Sequence, residues 1–408
     1  MAESPDTLVL LTATYPFGQR SEPFLDAELP ILARRFDRVI VVPSAREEGE
    51  RRLPAGVRCE TFLADECQQS VGRSLRGDPA SAALLFLRAV LNEGAARAYL
   101  RHPKSYLGVV GLNLCKYRLL REFVTREGLD SAVFYDYWLE NSTLALSLLR
   151  RRGVVARAVA RAHGFDLYDE RSRLGAVPFQ RFNLDSLDLV LAVSAHGLAY
   201  LAGKHPDARG KLRLSRLGVE RQQSPPARSG DRPPLVVSCS TLSPVKRVEL
   251  IPRVLRELGR DVRWVHFGDG DCRPQVERAA SELPDSVSWQ LAGHVEHEVL
   301  IDWYRTNSVD LFISLSSSEG LPVSMMEAIS FGIPILATDA GGTGEIVTSE
   351  TGKLAAVEDP PHVIAAMARR LLDSERPSVS EVVTFFENHF DAGTNYNELA
   401  DLLHIAPA

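Results

Sequence analysis

The sequence predicts an α/β protein of two doubly wound domains, each a parallel sheet wrapped by crossover helices. Three observations predict it. Short apolar runs alternate with stretches of helical periodicity, the pattern of βαβ units. The alternation stops at residues 220–234, "ERQQSPPARSGDRPP", where four prolines and no aliphatic side chain larger than alanine mark a linker. It restarts at residue 235, and 408 residues suffice for two separately buried cores.

Taken in order, "TLVLLTA" (residues 7–13) reads as a buried strand. After the turn "TYPFGQRS", Ser21 is placed to cap a helix over residues 22–36, with a kink expected at Pro30. Strands follow at residues 38–43, 132–138, 156–164 and 187–194, then beyond the linker at 235–240, 262–268, 309–316 and 333–338. Near the end, Tyr396, Leu399, Ala400 and Leu403 recur at helical spacing, so a terminal helix must lie on something.

Composition narrows the function. With 45% hydrophobic and 25% charged residues the chain is an ordinary globular one, and a net charge of −6 argues against a nucleic-acid partner. Five scattered cysteines without a Cys-x-x-Cys fit a reducing compartment. The acidic start is read as leading into a first strand rather than a signal peptide, and no apolar run approaches a membrane span. A cytoplasmic protein is expected. Residues 73–127 stand apart, with ten Lys/Arg against four Asp/Glu interleaved with apolar runs. They read either as solvated helices or as a peripheral contact with an anionic membrane.

The chemistry concentrates at "SSSEGLPVSMMEA", residues 316–328. A strand at 309–316 runs into a turn and then a helix starting at Pro322 and ending near Gly332. In an open parallel sheet that turn lies at the carboxyl edge, where ligands bind. Free amides over Gly320, Leu321, Pro322 and Val323 would favour an anion such as a diphosphate; proline supplies no N–H but opens the helix. Glu327 is placed to accept hydrogen bonds from sugar hydroxyls, and Glu319 stands in the turn itself. Two carboxylates beside an anion site make sense if they face hydroxyls or a developing cation such as an oxocarbenium centre.

"EGLPVSMME" resembles the glutamate-x7-glutamate motif of retaining GT-B glycosyltransferases of the GT4 family, also called glycosyl transferases group 1. The surrounding residues 318–347 fit that family, as does "VSCSTLSPVKRVELI", in which Lys246 takes the place of the phosphate-neutralising lysine. The family's arginine five residues earlier is Thr241 here, and Arg247 is the substitute cation. "VHFGDGD" supplies the glycine turn at Gly268, and "LAGHVEHEVL" resembles the segment that reads the base, around Gly293, His294 and Val295. In the first domain "ARAHGFDLYDER" resembles the family's His-Gly-x-Asp, which puts His163 beside the reacting sugar and Asp166 nearby. Gly18 stands singly in the place of the glycine-rich first loop. Tyr137 and Trp138 either stack on a sugar acceptor or simply pack.

The resemblance implies GT-B architecture: two Rossmann-like domains facing across a cleft, and a C-terminal helix crossing back to the first. Residues 1–219 would bind the acceptor, 235–389 the nucleotide-sugar, and 390–408 would form the crossover. The implied activity moves a sugar from a UDP- or GDP-sugar to an acceptor hydroxyl with retention, in polysaccharide, glycolipid or natural-product biosynthesis. His163, Lys246 and Glu319 would be catalytic, with no cofactor and no metal. Two alternatives stay open: an inverting transferase or nucleotide-sugar epimerase using His163 as base, and a catalytically silent nucleotide-sugar-binding protein.

Overall fold

The computed structural model describes residues 7–18, 22–67, 79–92, 96–223 and 232–405. Ser21, the expected cap, and most of the expected linker lie outside them. The chain divides into two units: residues 1–216 with 393–408, and residues 217–392.

The first unit holds a sheet of β1 (Thr7–Thr12), β2 (Arg38–Pro43), β3 (Val57–Cys59), β4 (Val133–Asp136), β5 (Arg157–Ala162), β6 (Leu189–Ala192) and β7 (Leu212–Leu214). Its order is β3-β2-β1-β4-β5-β6-β7, parallel throughout. The central strands read as continuous apolar runs because helices cover both faces: in β4 and β6 every residue is buried. The switch in strand order falls between β1 and β4.

The predicted first helix is shorter than expected. It spans Leu25–Arg35, with Pro30 inside it. Glu22 cannot be its first turn, because it sits at φ 50° with its carboxylate folded back onto the loop after β1. The terminal helix Ala392–His404 packs in this unit, which takes in residues 393–408. Tyr396, Leu399, Ala400 and Leu403 are fully buried, and His404 stacks on Phe36 at 4.1 Å. Arg157 Nη2 donates to the Leu402 carbonyl at 2.7 Å.

The second unit repeats the plan with β8 (Leu235–Cys239), β9 (Val262–Phe267), β10 (Val287–Gly293), β11 (Leu311–Ser314), β12 (Ile335–Thr338) and β13 (Gly352–Ala355). The order β10-β9-β8-β11-β12-β13 is again parallel, with its switch between β8 and β11. Ligands of open α/β sheets bind outside the carboxyl ends of the strands at such a switch. Among the described residues no helix is long and apolar enough to cross a membrane.

Candidate functional site

Two loops leave the adjacent strands β8 and β11 and meet at the carboxyl edge of the second sheet. The loop after β8 passes through a 3₁₀ turn, Pro244–Lys246, and the loop after β11 carries Glu319. Ser317 N donates to the Val245 carbonyl at 2.8 Å, which ties one loop to the other. Lys246 Nζ then lies 2.6 and 2.8 Å from the two oxygens of Glu319. The carboxylate is nearly sealed, at 6% exposure against 22% for the lysine. A charged pair that dry is stable only because both Glu319 oxygens are bonded.

The helix after Glu319 spans Val323–Ser330, with Pro322 in extended geometry at its cap. The amides of Gly320, Leu321, Val323 and Ser324 have no acceptor among the described residues. Such a helix start is a ready anion site. One turn on, Glu327 Oε1 lies 2.7 Å from Nε2 of the exposed His297. Behind Glu327 lie Cys239, whose thiol burial and then the Glu327 charge push up to about 12, and the buried Tyr304. The Tyr304 hydroxyl has no hydrogen-bond partner among the described residues.

Glycines let the backbones of this edge touch. At Gly268, φ is 127° and a Cβ would stand 1.9 Å from the Ser240 carbonyl oxygen. At Gly341, φ is 60° and a Cβ would stand 2.0 Å from the Glu319 carbonyl oxygen. Gly293 lies at an irregularity in β10 and accepts from Gly268 N at 2.8 Å, with His294 exposed and Val295 half-buried beyond it. Thr241 is exposed on the loop after β8. Arg247 has another task from the one expected of it. Its Nε and Nη1 donate to the carbonyls of Leu315 (2.7 Å) and Val357 (2.9 Å), which fixes the guanidinium and leaves the second Nη1 N–H and the Nη2 group for a phosphate.

The first unit gathers the remaining residues at the ends of β4 and β5. The Asp166 carboxylate accepts three backbone amides, from Leu139 (3.0 Å), His163 (2.8 Å) and Gly164 (3.0 Å). It is fully buried, so it organises the loop and does not face an acceptor. The His163 ring rests 4.2 Å from Trp138 and 4.8 Å from Tyr137. Burial holds the His163 ring below its ordinary pKa, and neither ring nitrogen has a hydrogen-bond partner among the described residues. Tyr137 is fully buried, which leaves half-buried Trp138 and exposed Phe165, 4.9 Å apart, as the reachable aromatic surface. Gly18 also departs from expectation: its amide donates to the Gly49 carbonyl at 2.9 Å, and a Cβ would stand 2.3 Å from Glu47 Oε2.

Residues 219–381 match the family model for glycosyl transferases group 1. The matched stretch lies within the second unit, residues 217–392. The lipopolysaccharide core biosynthesis mannosyltransferase LpsB of Rhizobium meliloti (strain 1021) is 30% identical over 224 residues, covering 48% of this chain and 59% of its own. The amylovoran biosynthesis glycosyltransferase AmsK of Erwinia amylovora is 26% identical over 207 residues, covering 47% and 50%. The chain spans about half the length of the curated relatives it matches. Among solved structures, the apo lipopolysaccharide outer core galactosyltransferase WaaB aligns over 98% of this chain and 99% of its own, at TM-score 0.66 and 14% identity. Anabaena HepE in complex with UDP aligns over the same shares at TM-score 0.61 and 16% identity. These neighbours share the fold, two parallel-sheet units of the GT-B class.

Within the matched stretch, His297 bonds Glu327 and was not singled out from the sequence; its signal was the second histidine of "GHVEHEV", three positions beyond His294. In the first unit two carboxylates were missed. Glu22 accepts from the amides of Ala13 (2.8 Å), Thr14 (2.9 Å) and Tyr15 (2.8 Å) and from Trp138 Nε1 (2.7 Å). Glu140 is half-buried beside Asp166, and its carboxyl is pushed up to about 7 by burial and then by that neighbour's charge.

Proposed function

We propose that this protein transfers a sugar from a nucleoside-diphosphate sugar to an acceptor hydroxyl, with the anomeric configuration retained, in the assembly of a surface polysaccharide or glycolipid. One observation carries the reading: the Lys246–Glu319 pair stands at a helix start with four amides that have no acceptor among the described residues, inside the stretch that matches the group 1 glycosyl transferase model. Lys246 and the amides would take the charge of the departing diphosphate, an electrostatic role. Glu327, steadied by His297, would hold ribose hydroxyls, and Glu319 would orient Lys246 and the donor sugar. His163, held neutral by burial, would approach the sugar's hydroxyls as a hydrogen-bonding group without charge. The acceptor would attack from the leaving-group side, passing its proton to the departing phosphate.

The relatives' names support a polysaccharide or lipopolysaccharide product, and the UDP complex of a fold neighbour supports a nucleotide donor. Charge neutralisation by Lys246 and the amides lets the reaction be proposed without a metal, and EDTA should leave its rate unchanged. Residues 73–127 are proposed as a peripheral contact with an anionic membrane on the cytoplasmic side, where a lipid-linked acceptor would be met.

The test is a thermal-shift panel of UDP, GDP, ADP and dTDP on the wild type and on Lys246→Met, followed by NMR of the product's anomeric proton. One diphosphate should raise the melting temperature of the wild type with concentration. An inverted linkage would remove the retaining assignment, and no response to any nucleotide would remove the transferase reading.

A further inference from the structure

The helices Pro79–Asn92 and Ala96–Arg101 pack on one another, yet four of their leucines face out. Leu84, Leu87 and Leu91 are 67%, 55% and 70% exposed, and Leu100 is 65% exposed. The first three recur at i, i+3 and i+7, one stripe of a helix. Single exposed leucines are ordinary, but a row of them marks a contact.

The helix that carries Leu100 also lines a groove of about 570 Å³. Arg97, Arg101 and His102 line one side, and Arg173 the other, from the loop after the 3₁₀ turn Asp169–Arg171. None of the three guanidiniums pairs with an acid among the described residues. Elsewhere in this unit Arg46, Arg51, Arg58 and Arg150 all have carboxylate partners. No Asp or Glu occurs in residues 96–121, and of the two acids in the turn before Arg173, Asp169 is paired with Lys204 and Glu170 with none of these arginines. Three like charges around one concavity repel each other, and an anion between them relieves that.

We infer that this face docks on an anionic bilayer, with the arginine groove taking a lipid phosphate headgroup and the leucine row entering the interface. A free phosphate would account for the arginines and leave the leucines unexplained; an apolar protein partner would do the reverse. Only a surface that is anionic above and apolar below meets both, the arrangement of interfacial amphipathic helices. The inference rests on the peripheral contact proposed above and adds its chemistry and its residues.

The experiment is flotation of the full chain with vesicles of phosphatidylcholine alone or mixed with phosphatidylglycerol. Wild type should float with the anionic vesicles only, and should be released by about 0.5 M salt, at which the Debye length falls to a few ångströms. Arg97→Gln/Arg101→Gln/Arg173→Gln should lower the partition about 100-fold, roughly 5-fold per guanidinium. Leu84→Ser/Leu87→Ser/Leu91→Ser should lower it on its own. All these side chains are exposed, so both variants should melt with the wild type. Absence of vesicle binding overturns the docking surface together with the peripheral contact. Anionic binding unaffected by either variant leaves that contact standing and overturns this groove. Competition by inorganic phosphate with no effect of the leucine variant would show a free-phosphate site, and would also overturn it.

Discussion

Replacing Lys246 with methionine removes the ammonium and keeps most of the stem. In the wild type both Glu319 oxygens bond that ammonium, at 2.6 and 2.8 Å, and the carboxylate is 6% exposed. Breaking a fully buried pair by deleting one partner costs about 3–5 kcal/mol, because the surviving charge is stranded. Lys246 is 22% exposed, so water can reach the gap, and the expected loss is nearer 2 kcal/mol. Glu319→Gln in the Lys246→Met background removes the stranded charge and should restore about 1 kcal/mol or more. Nucleotide binding should follow a different course. If Lys246 meets the donor diphosphate, Lys246→Met weakens the responding nucleoside diphosphate about 10- to 100-fold, the value of a charge-assisted bond. The double variant should recover stability and stay weak in binding. Urea denaturation gives the first quantity and titration calorimetry the second. The reasoning is refuted if Lys246→Met binds the nucleotide as tightly as wild type, or if the double variant regains affinity along with stability.

Three further outcomes follow from the geometry. Gly268→Ala should cost at least about 2 kcal/mol in urea denaturation and weaken nucleotide binding, since its φ of 127° and a Cβ 1.9 Å from the Ser240 carbonyl oxygen force the loop after β8 to move. Arg161→Met should cost about 3–5 kcal/mol, because Glu28, 2.6 Å away and fully buried, loses the cation it pairs with; adding Glu28→Leu should regain much of that. His266 is buried, with its ring pKa lowered to about 4 by burial. The folded state therefore keeps it neutral while the unfolded chain protonates near 6.5. Its contribution is complete above pH 6.5 and drains as pH falls toward 4, a loss of about 2 kcal/mol by pH 5. His266→Asn should flatten that part of the stability-against-pH curve.

What the sequence made legible follows from burial. The nine strands expected from it are the five- and four-stranded centres of the two sheets, whose residues are covered on both faces and so read as nearly unbroken apolar runs. The four strands it did not reveal are β3, β7, β10 and β13, the edge strands of the two sheets. Two of them have only three residues, and β10 exposes its middle, so neither run length nor alternation could mark them. The site divides in the same way. Lys246 and Glu319 were legible because each sits at a fixed offset from a buried strand and a glycine or proline turn. Glu22 and Glu140 were not, because their roles depend on β1, β4 and β5 being neighbours, which no local pattern records.

That adjacency also explains why the two units, built to one plan, differ in what they can bind. In each, a side chain from the loop after the first strand bonds one from the loop across the switch: Glu22 with Trp138 in the first, Lys246 with Glu319 in the second. In the first unit the bridging acid also takes three amides of its own loop. Its charge is consumed in folding that loop, and the first amides of the helix that follows, from Leu25 to Glu28, bond the carbonyls of Glu22, Pro23 and Phe24. In the second unit the acid bonds a lysine, and the helix amides after it stay unused. Exchanging a four-fold bonded carboxylate for an ion pair beside an open helix start is the difference on which the proposed anion site rests. Moving the same device between units should therefore fail: Trp138→Lys would set a cation on Glu22 while the amides from Leu25 to Glu28 stay bonded, and should bring no affinity for a nucleoside diphosphate in titration calorimetry.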